Sequence, residues 1–143
     1  MKMSFTFLIG SILFISSTCA DNEKDCHNYI SIHNVSNKNI YVEYVLGYPD
    51  TTYFKYEPNP ALSPELSKVL SGQTNTNALG SRSCWEDKFK SLIKSDTVMI
   101  YVFDAQVLES TPWDTVKANY LILKRYDLSL VDLQQMNWTV TYP

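Results

Sequence analysis

Residues 98–103 read VMIYVF, an apolar run that is rich in β-branched and aromatic side chains. A strand with one face in solvent alternates apolar and polar residues, whereas a strand that is covered on both faces is apolar throughout. The run is short and lies between the polar residues Thr97 and Asp104, which suits a strand better than a helix. The sequence therefore predicts a central β-strand, covered on both faces, in the middle of the fold.

Shorter strands and a few helices are predicted around this run. An amphipathic helix is predicted over 84–94, because a Ser83-x-x-Glu86 capping box precedes apolar residues at helical spacing. Thr111 and Ser129 mark the starts of two short helices. Further strands are predicted at 29–33, 40–46, 51–56, 68–70, 76–79, 120–124 and 138–142, the first two as a hairpin. The predicted fold is mainly β and β-sandwich-like, with about seven strands, one amphipathic helix and two short helices.

The first twenty residues, 1–20, have the layout of an export signal. Lys2 is followed by an apolar run over 5–15 and by the small residues Ser16 to Ala20. The apolar run is too short to span a bilayer, which takes about 20 residues. Cleavage after Ala20 would release a soluble protein, whereas a lipid on Cys19 would make the chain a bacterial lipoprotein.

We favour lipidation at Cys19, because the preceding residues resemble a loose lipobox and a polar acidic tether follows at 21–27. This tether resembles the acidic stretch that sends Bacteroidetes-type lipoproteins to the cell surface. The acyl chains would hold the protein on a lipid bilayer surface, since each buried methylene contributes about 0.8 kcal/mol. Residues 28–143 are predicted to form a single domain. The expected location is the outer membrane, cell surface or periplasm of a bacterium, or otherwise the medium.

The three cysteines, Cys19, Cys26 and Cys84, form an odd set in an exported chain. Lipidation or removal of Cys19 leaves Cys26 and Cys84, for which a disulfide is the default state in an oxidising compartment. Two unpaired thiols are the alternative. A catalytic Cys84 with His27 or His33 as its base is disfavoured, because no family signature for such a nucleophile is present.

Charge and motifs exclude several classes of protein. The net charge is −3, and loss of Lys2 with the signal leaves 11 − 15 = −4, which argues against a nucleic-acid partner. No metal motif or cofactor-binding glycine pattern is present, so no metal and no cofactor are predicted. Four carboxylates near predicted element ends could serve a glycosidase, although no spacing selects a pair: Asp104, Glu109, Asp114 and Asp127. We therefore predict no catalytic residues.

The C-terminal third carries a recognisable pattern of segments. They are DTVMIYVFDA (96–105), PWDTV (112–116), ILKRYDLSLVDLQ (122–134) and NWTVTYP (137–143), preceded by YPDT (48–51). The pattern resembles a family of small uncharacterised secreted proteins and lipoproteins from Bacteroidetes-type gut bacteria. The resemblance implies a lipid-anchored β-rich protein, and it carries no activity and no site residues.

Three functions are compatible with these features. The first is an exported, non-enzymatic envelope or surface lipoprotein with a structural or binding role, whose glycan or protein partner is unknown. The second is a small secreted hydrolase of glycans or peptides. The third is a secreted inhibitor or effector, with the proline-rich loop 58–64 as its contact surface.

Overall fold

The structure is a computed structural model and describes residues 26–143; the predicted signal peptide, the lipidation site Cys19 and tether residues 21–25 lie outside the described residues. The described chain has seven strands in two sheets, with orders β4-β1-β7 and β3-β2-β5-β6. Only the β1–β7 pair is parallel among the described ladders. The strands are β1 (Tyr29–Asn34), β2 (Ile40–Val45), β3 (Lys68–Val69), β4 (Thr74–Gly80), β5 (Val98–Asp104), β6 (Lys124–Leu128) and β7 (Thr139–Tyr142).

Helices take up 32% of the described residues, a share comparable to that of the strands. The prediction of one amphipathic and two short helices was therefore too low, and mainly β describes the fold only coarsely. The α-helices of the described chain are α1 (Pro64–Ser67), α2 (Trp85–Ser91), α3 (Ala105–Ser110), α4 (Trp113–Ala118) and α5 (Leu130–Gln135). Two 3₁₀ helices cover Thr51–Tyr56 and Pro60–Leu62. Helices as short as α1 and α3 span less than two turns, so they show no periodicity in a sequence.

The run at 98–103 forms the core of β5, as predicted. β5 lies between β2 and β6, and each of its first six residues is buried. Alternate side chains of β5 enter two different apolar clusters. The first cluster lies between the sheets and includes Ile100. The second apolar cluster lies on the opposite face of β5, against the 3₁₀ helix Thr51–Tyr56 and α4, and consists of Tyr41, Val45, Phe54, Met99, Tyr101, Phe103, Ala105, Leu108 and Val116. Burial of one such side chain stabilises the fold by about 1.5–3 kcal/mol. A fully apolar strand is stable here because both of its faces are covered.

The predicted hairpin of β1 and β2 is wrong, because the two strands belong to different sheets. The connection between them crosses from one sheet to the other and is held by the fully buried Asn34. Its side-chain amide donates to the carbonyls of Lys38 at 2.7 Å and Val69 at 3.2 Å. Asn34 thus satisfies one backbone acceptor of the connection and one of β3.

The segment Thr51–Tyr56 is a 3₁₀ helix rather than the predicted strand. Asp50 Oδ1 accepts a hydrogen bond from the Thr52 amide at 2.8 Å and so caps its first turn. Phe54 then points into the second apolar cluster, where its ring stacks on that of Tyr101 at 4.7 Å. The capping aspartate and this stacking outweigh the β propensity of the aromatic residues.

The amphipathic helix α2 begins later and ends earlier than predicted. Cys84 is its N-cap residue and its last helical residue is Ser91, so the expected Ser83 capping box does not form. Trp85 and Phe89 are buried as predicted, whereas Leu92 is 59% exposed. Glu86 was the residue that suggested a capping box in the sequence. In the structure its carboxylate binds the amide and the ring of His27.

Candidate functional site

Of the four carboxylates considered from the sequence, Asp104 and Glu109 line one cleft of about 480 Å³, whereas the other two do not line it. Each forms an ion pair with a neighbouring cation: Asp104 with Lys38 (2.6 Å), Glu109 with Lys68 (2.6 Å), Asp114 with Lys117 (3.1 Å) and Asp127 with Arg125 (2.8 Å). Asp104 also caps α3, since its Oδ1 accepts from the Gln106 amide at 2.9 Å. Lys38 lowers the pKa of Asp104 by its hydrogen bond, which outweighs burial. These are contacts that stabilise structure, and they leave none of the four carboxylates as an unpaired acid.

Cys26 and Cys84 are joined as a disulfide, as the cysteine count predicts. Beside it, His27 is bound three times to α2: its amide donates to Glu86 Oε2 at 3.0 Å, its Nδ1 lies 2.5 Å from Glu86 Oε1, and its carbonyl accepts from the Trp85 amide at 2.8 Å. Its ring also stacks on Trp138 at 4.3 Å. Residues 26 and 27, the end of the predicted tether, are therefore attached to the domain.

The Glu86 carboxylate is 7% exposed. Burial alone would raise its pKa, but hydrogen bonds from His27 outweigh burial and lower it. Trp138 itself has a left-handed backbone with φ of 56°, a conformation that a bulky residue adopts only when its surroundings hold it. The stacked ring of His27 and the burial of the indole supply that support, so this cluster fixes the point where the chain enters the domain.

An apolar cleft of about 370 Å³ lies between β2, the end of β4 and the segment 58–67. Its floor is formed by Val42, Glu43 and Tyr44 of β2 and by Ala78 to Gly80 of β4. Its rim carries Leu62 and Leu66, which are 77% and 50% exposed. The volume lies within the range of small-molecule and peptide sites. The cleft therefore combines exposed aliphatic side chains with a carboxylate.

Glu43 is the unusual residue of the cleft, because its carboxyl is largely buried. Its pKa is raised to about 7, mainly by burial. The nearby Glu57 carboxylate contributes to the rise, and a hydrogen bond from the Tyr44 amide, at 2.9 Å from Glu43 Oε1, acts in the opposite direction. Burial also raises the pKa of Glu57. Within residues 26–143, no lysine, arginine or histidine forms an ion pair with either carboxylate. The cleft thus holds the Glu43 carboxyl, which has no cationic partner within residues 26–143 and has a second carboxylate, Glu57, nearby.

Sequence reasoning missed Glu43, because alternation in β2 assigned Ile40, Val42 and Tyr44 to the covered face and left Glu43 on the opposite one. That opposite face is also covered, since Tyr41 and Val45 belong to the second apolar cluster. The available signal was a single charge inside the otherwise apolar and aromatic run 40–46. The proline-rich loop singled out from the sequence forms the other wall of the same cleft.

Comparisons of the chain with protein-family models, curated proteins and solved structures give no match. In the described part of the chain, no group of three His, Cys, Asp or Glu side chains is arranged to hold a metal ion. None of the helices between residues 26 and 143 is long and apolar enough to cross a membrane.

Proposed function

We propose that this protein is an exported, lipid-anchored binding protein of the bacterial cell envelope or surface, and that the cleft beside Glu43 is its ligand site. The observation that carries the binding role is the cleft itself, where exposed leucines surround a buried carboxyl that has no cation as partner within the described chain. A buried carboxylate without a partner lowers stability, so its presence in a cleft is typical of a functional site.

The disulfide supports export, because such bonds persist in oxidising compartments. The resemblance of the C-terminal segments to secreted proteins and lipoproteins of Bacteroidetes-type bacteria supports the same location. Between Cys19 and Cys26 lie six residues, 20–25, so the two cysteines are at most about 25 Å apart when the segment is fully extended. An acyl chain on Cys19 would therefore hold the domain close to the membrane surface.

Intact mass spectrometry of the mature protein from its host, before and after reduction, tests the anchor and the disulfide. We expect acyl chains on Cys19, a gain of two hydrogens on reduction, and a Cys19→Ser variant that leaves the membrane fraction. A mature chain that begins at Asp21 without lipid would refute the anchor, and protein retained in the cytosol would refute export.

Photocrosslinking on intact cells tests the binding role of the cleft. A benzophenone amino acid at Leu66 on the rim is compared with the same probe at Val131 of α5, because the two side chains are 50% and 55% exposed. We expect an adduct from position 66 and none from position 131. Equal labelling from both positions, or none from position 66, would contradict a ligand site in the cleft.

Hydrolysis is a second candidate function, because glycoside hydrolysis uses two carboxylates and the Glu57 carboxylate is near enough to Glu43 to raise its pKa. A carboxyl with its pKa near 7 is suited to act as a general acid at neutral pH. Release of reducing ends from a panel of envelope and host glycans is the assay. Activity that is lost in Glu43→Gln and kept in Glu65→Gln, an exposed control, would support this candidate over simple binding.

A further inference from the structure

The outer edge of β2 has no strand partner along most of its length within the described chain. The carbonyl of Asn39 accepts the Ala105 amide at 3.0 Å, which places the odd-numbered residues of β2 in hydrogen-bonded pairs with β5. In an antiparallel ladder, alternate residues of a strand direct their backbone N–H and C=O groups towards opposite sides of that strand. The N–H and C=O groups of Val42 and Tyr44 therefore point away from β5. On that side β3 pairs only with Ile40 and Tyr41.

Val42 and Tyr44 both line the cleft, and Val42 is 1% exposed, so the side of β2 that turns away from β5 borders the cleft with little of Val42 open to solvent. The Tyr44 amide is satisfied by the side chain of its own neighbour, Glu43. A charged side chain beside a free strand edge is a common way to prevent unwanted pairing of that edge. Glu43 therefore covers the Tyr44 amide at the free edge of β2.

The end of β4 also presents backbone groups to the cleft. The Ser81 amide donates to the Asn28 carbonyl at 2.8 Å, so by the same alternation Gly80 turns its backbone groups away from β1. The ladder becomes irregular beyond the Ile30–Leu79 pair, and Ala78 and Gly80 both line the cleft. Closer to the start of β4, Asn75 binds the Lys68 carbonyl at 3.1 Å and occupies that side of the strand. The cleft thus lies at the open side of the two sheets.

We propose that an extended peptide with a basic side chain between aliphatic ones adds to the free edge of β2 within this cleft. The proposal rests on the proposed binding function and names the class of its ligand. An added strand would continue the sheet where the two-residue β3 ends, and its backbone would bind Val42 and Tyr44. A peptide carbonyl would take the Tyr44 amide from Glu43 and free that carboxylate.

Charge and apolar surface both favour such a peptide. The freed Glu43 carboxylate has no cation as partner in the described chain, so a lysine or arginine on the peptide would pair with an acidic group of the cleft. The exposed Leu62 and Leu66 would cover its aliphatic side chains. The N-terminal segment of this chain is a poorer occupant, because residues 21–25 carry three acidic residues and one lysine.

The direct test uses synthetic peptides and the full exported chain with Cys19→Ser. The probe is the capped peptide TVKVT, compared with TVEVT and with TVKVT that is N-methylated at its three central residues. We expect TVKVT to bind, and we expect at least about tenfold weaker binding of each control, because one loses the charge pairing and the other the backbone donors. Binding of the N-methylated peptide as tight as that of TVKVT would overturn strand addition, as would no binding of TVKVT.

Two further measurements locate the peptide. With saturating TVKVT, hydrogen exchange at the Val42 and Tyr44 amides should slow by at least about tenfold. Slowing confined to Ala78 and Gly80 would overturn the assignment to β2. Glu43→Gln should weaken TVKVT binding by about tenfold, whereas Glu65→Gln should leave it unchanged. Equal affinity of wild type and Glu43→Gln would overturn the role of the carboxylate.

The outcome is separable from that of the proposed function. A cleft crosslink at position 66 to a glycan or lipid, together with no binding of any peptide, would keep the binding function and refute the peptide. Failure of the crosslink and of all the peptides would refute both.

Discussion

Replacement of Glu43 by glutamine should change the pH dependence of stability. The pKa of Glu43 is about 7 in the folded protein and about 4.5 in an unfolded chain, so the two values differ by about 2.5. This difference corresponds to about 3 kcal/mol, because each pKa unit is worth about 1.36 kcal/mol. The carboxyl is largely buried, so solvent screening reduces this figure little.

The sign of the effect follows from proton binding. Below pH 4.5 the carboxyl is protonated in both states and contributes no pH-dependent difference. Between pH 4.5 and 7 the unfolded state loses its proton first, so the free energy of unfolding falls as the pH rises. Above pH 7 the full destabilisation of about 3 kcal/mol is present. The glutamine amide of the Glu43→Gln variant cannot ionise, so the variant should lack this decline.

Urea denaturation followed by tryptophan fluorescence, with the disulfide intact, measures the free energy of unfolding at each pH. The glutamine amide introduces donors whose burial has a cost that does not vary with pH. We therefore compare the difference between variant and wild type at about pH 4 with that at about pH 8. The variant should gain about 3 kcal/mol relative to wild type between these pH values. A gain in the free energy of unfolding below about 1 kcal/mol would refute the burial of the Glu43 carboxyl. The control variant is Glu65→Gln, which changes an exposed carboxylate and should show no such gain.

Three further predictions concern the scaffold. Cys26→Ser with Cys84→Ser should lower the free energy of unfolding by roughly 4 kcal/mol, because the bond joins residues 58 positions apart; a calorimetric loss below about 1 kcal/mol would contradict this. Trp85→Phe should cost about 2 kcal/mol in urea, since the fully buried indole loses its bond to a backbone carbonyl at 3.3 Å; an unchanged midpoint would count against this packing. His27→Ala should cost about 1–3 kcal/mol and raise the pKa of Glu86, as measured by carbon-13 NMR titration; a Glu86 pKa that does not rise would show that the histidine is not its main partner.

The elements that were predicted best have a local signal. The apolar run of β5 requires cover on both faces wherever it lies, and the structure supplies it. The helix at Ser129 carries its own capping box, in which Ser129 and Asp132 bind each other within one turn. The pairing of Cys26 with Cys84 followed from counting cysteines. None of these depends on knowing which elements are neighbours in space.

The errors arose where a local signal competed with a distant contact. Glu86 fits a capping box with Ser83, but His27, 59 residues away, binds it more directly. The strands β1 and β2 fit a hairpin, but the buried Asn34 sends the chain to the other sheet. Pairing partners of strands are set by contacts that are remote in sequence, so local patterns could not distinguish these alternatives.

Periodicity and residue counts were enough to predict the central strand, the amphipathic helix and the cysteine pair, because they are properties of the chain alone. The export signal and the lipid on Cys19 are predictions of the same kind, which mass spectrometry can test. The burial of Glu43 beside Glu57 at a free strand edge emerged from the folded arrangement and from nothing local. The environment of that carboxyl is created by the second apolar cluster and by the segment 58–67, most of which lies far from it along the chain. A pKa depends on what surrounds a group in space, and for Glu43 those surroundings exist only after folding.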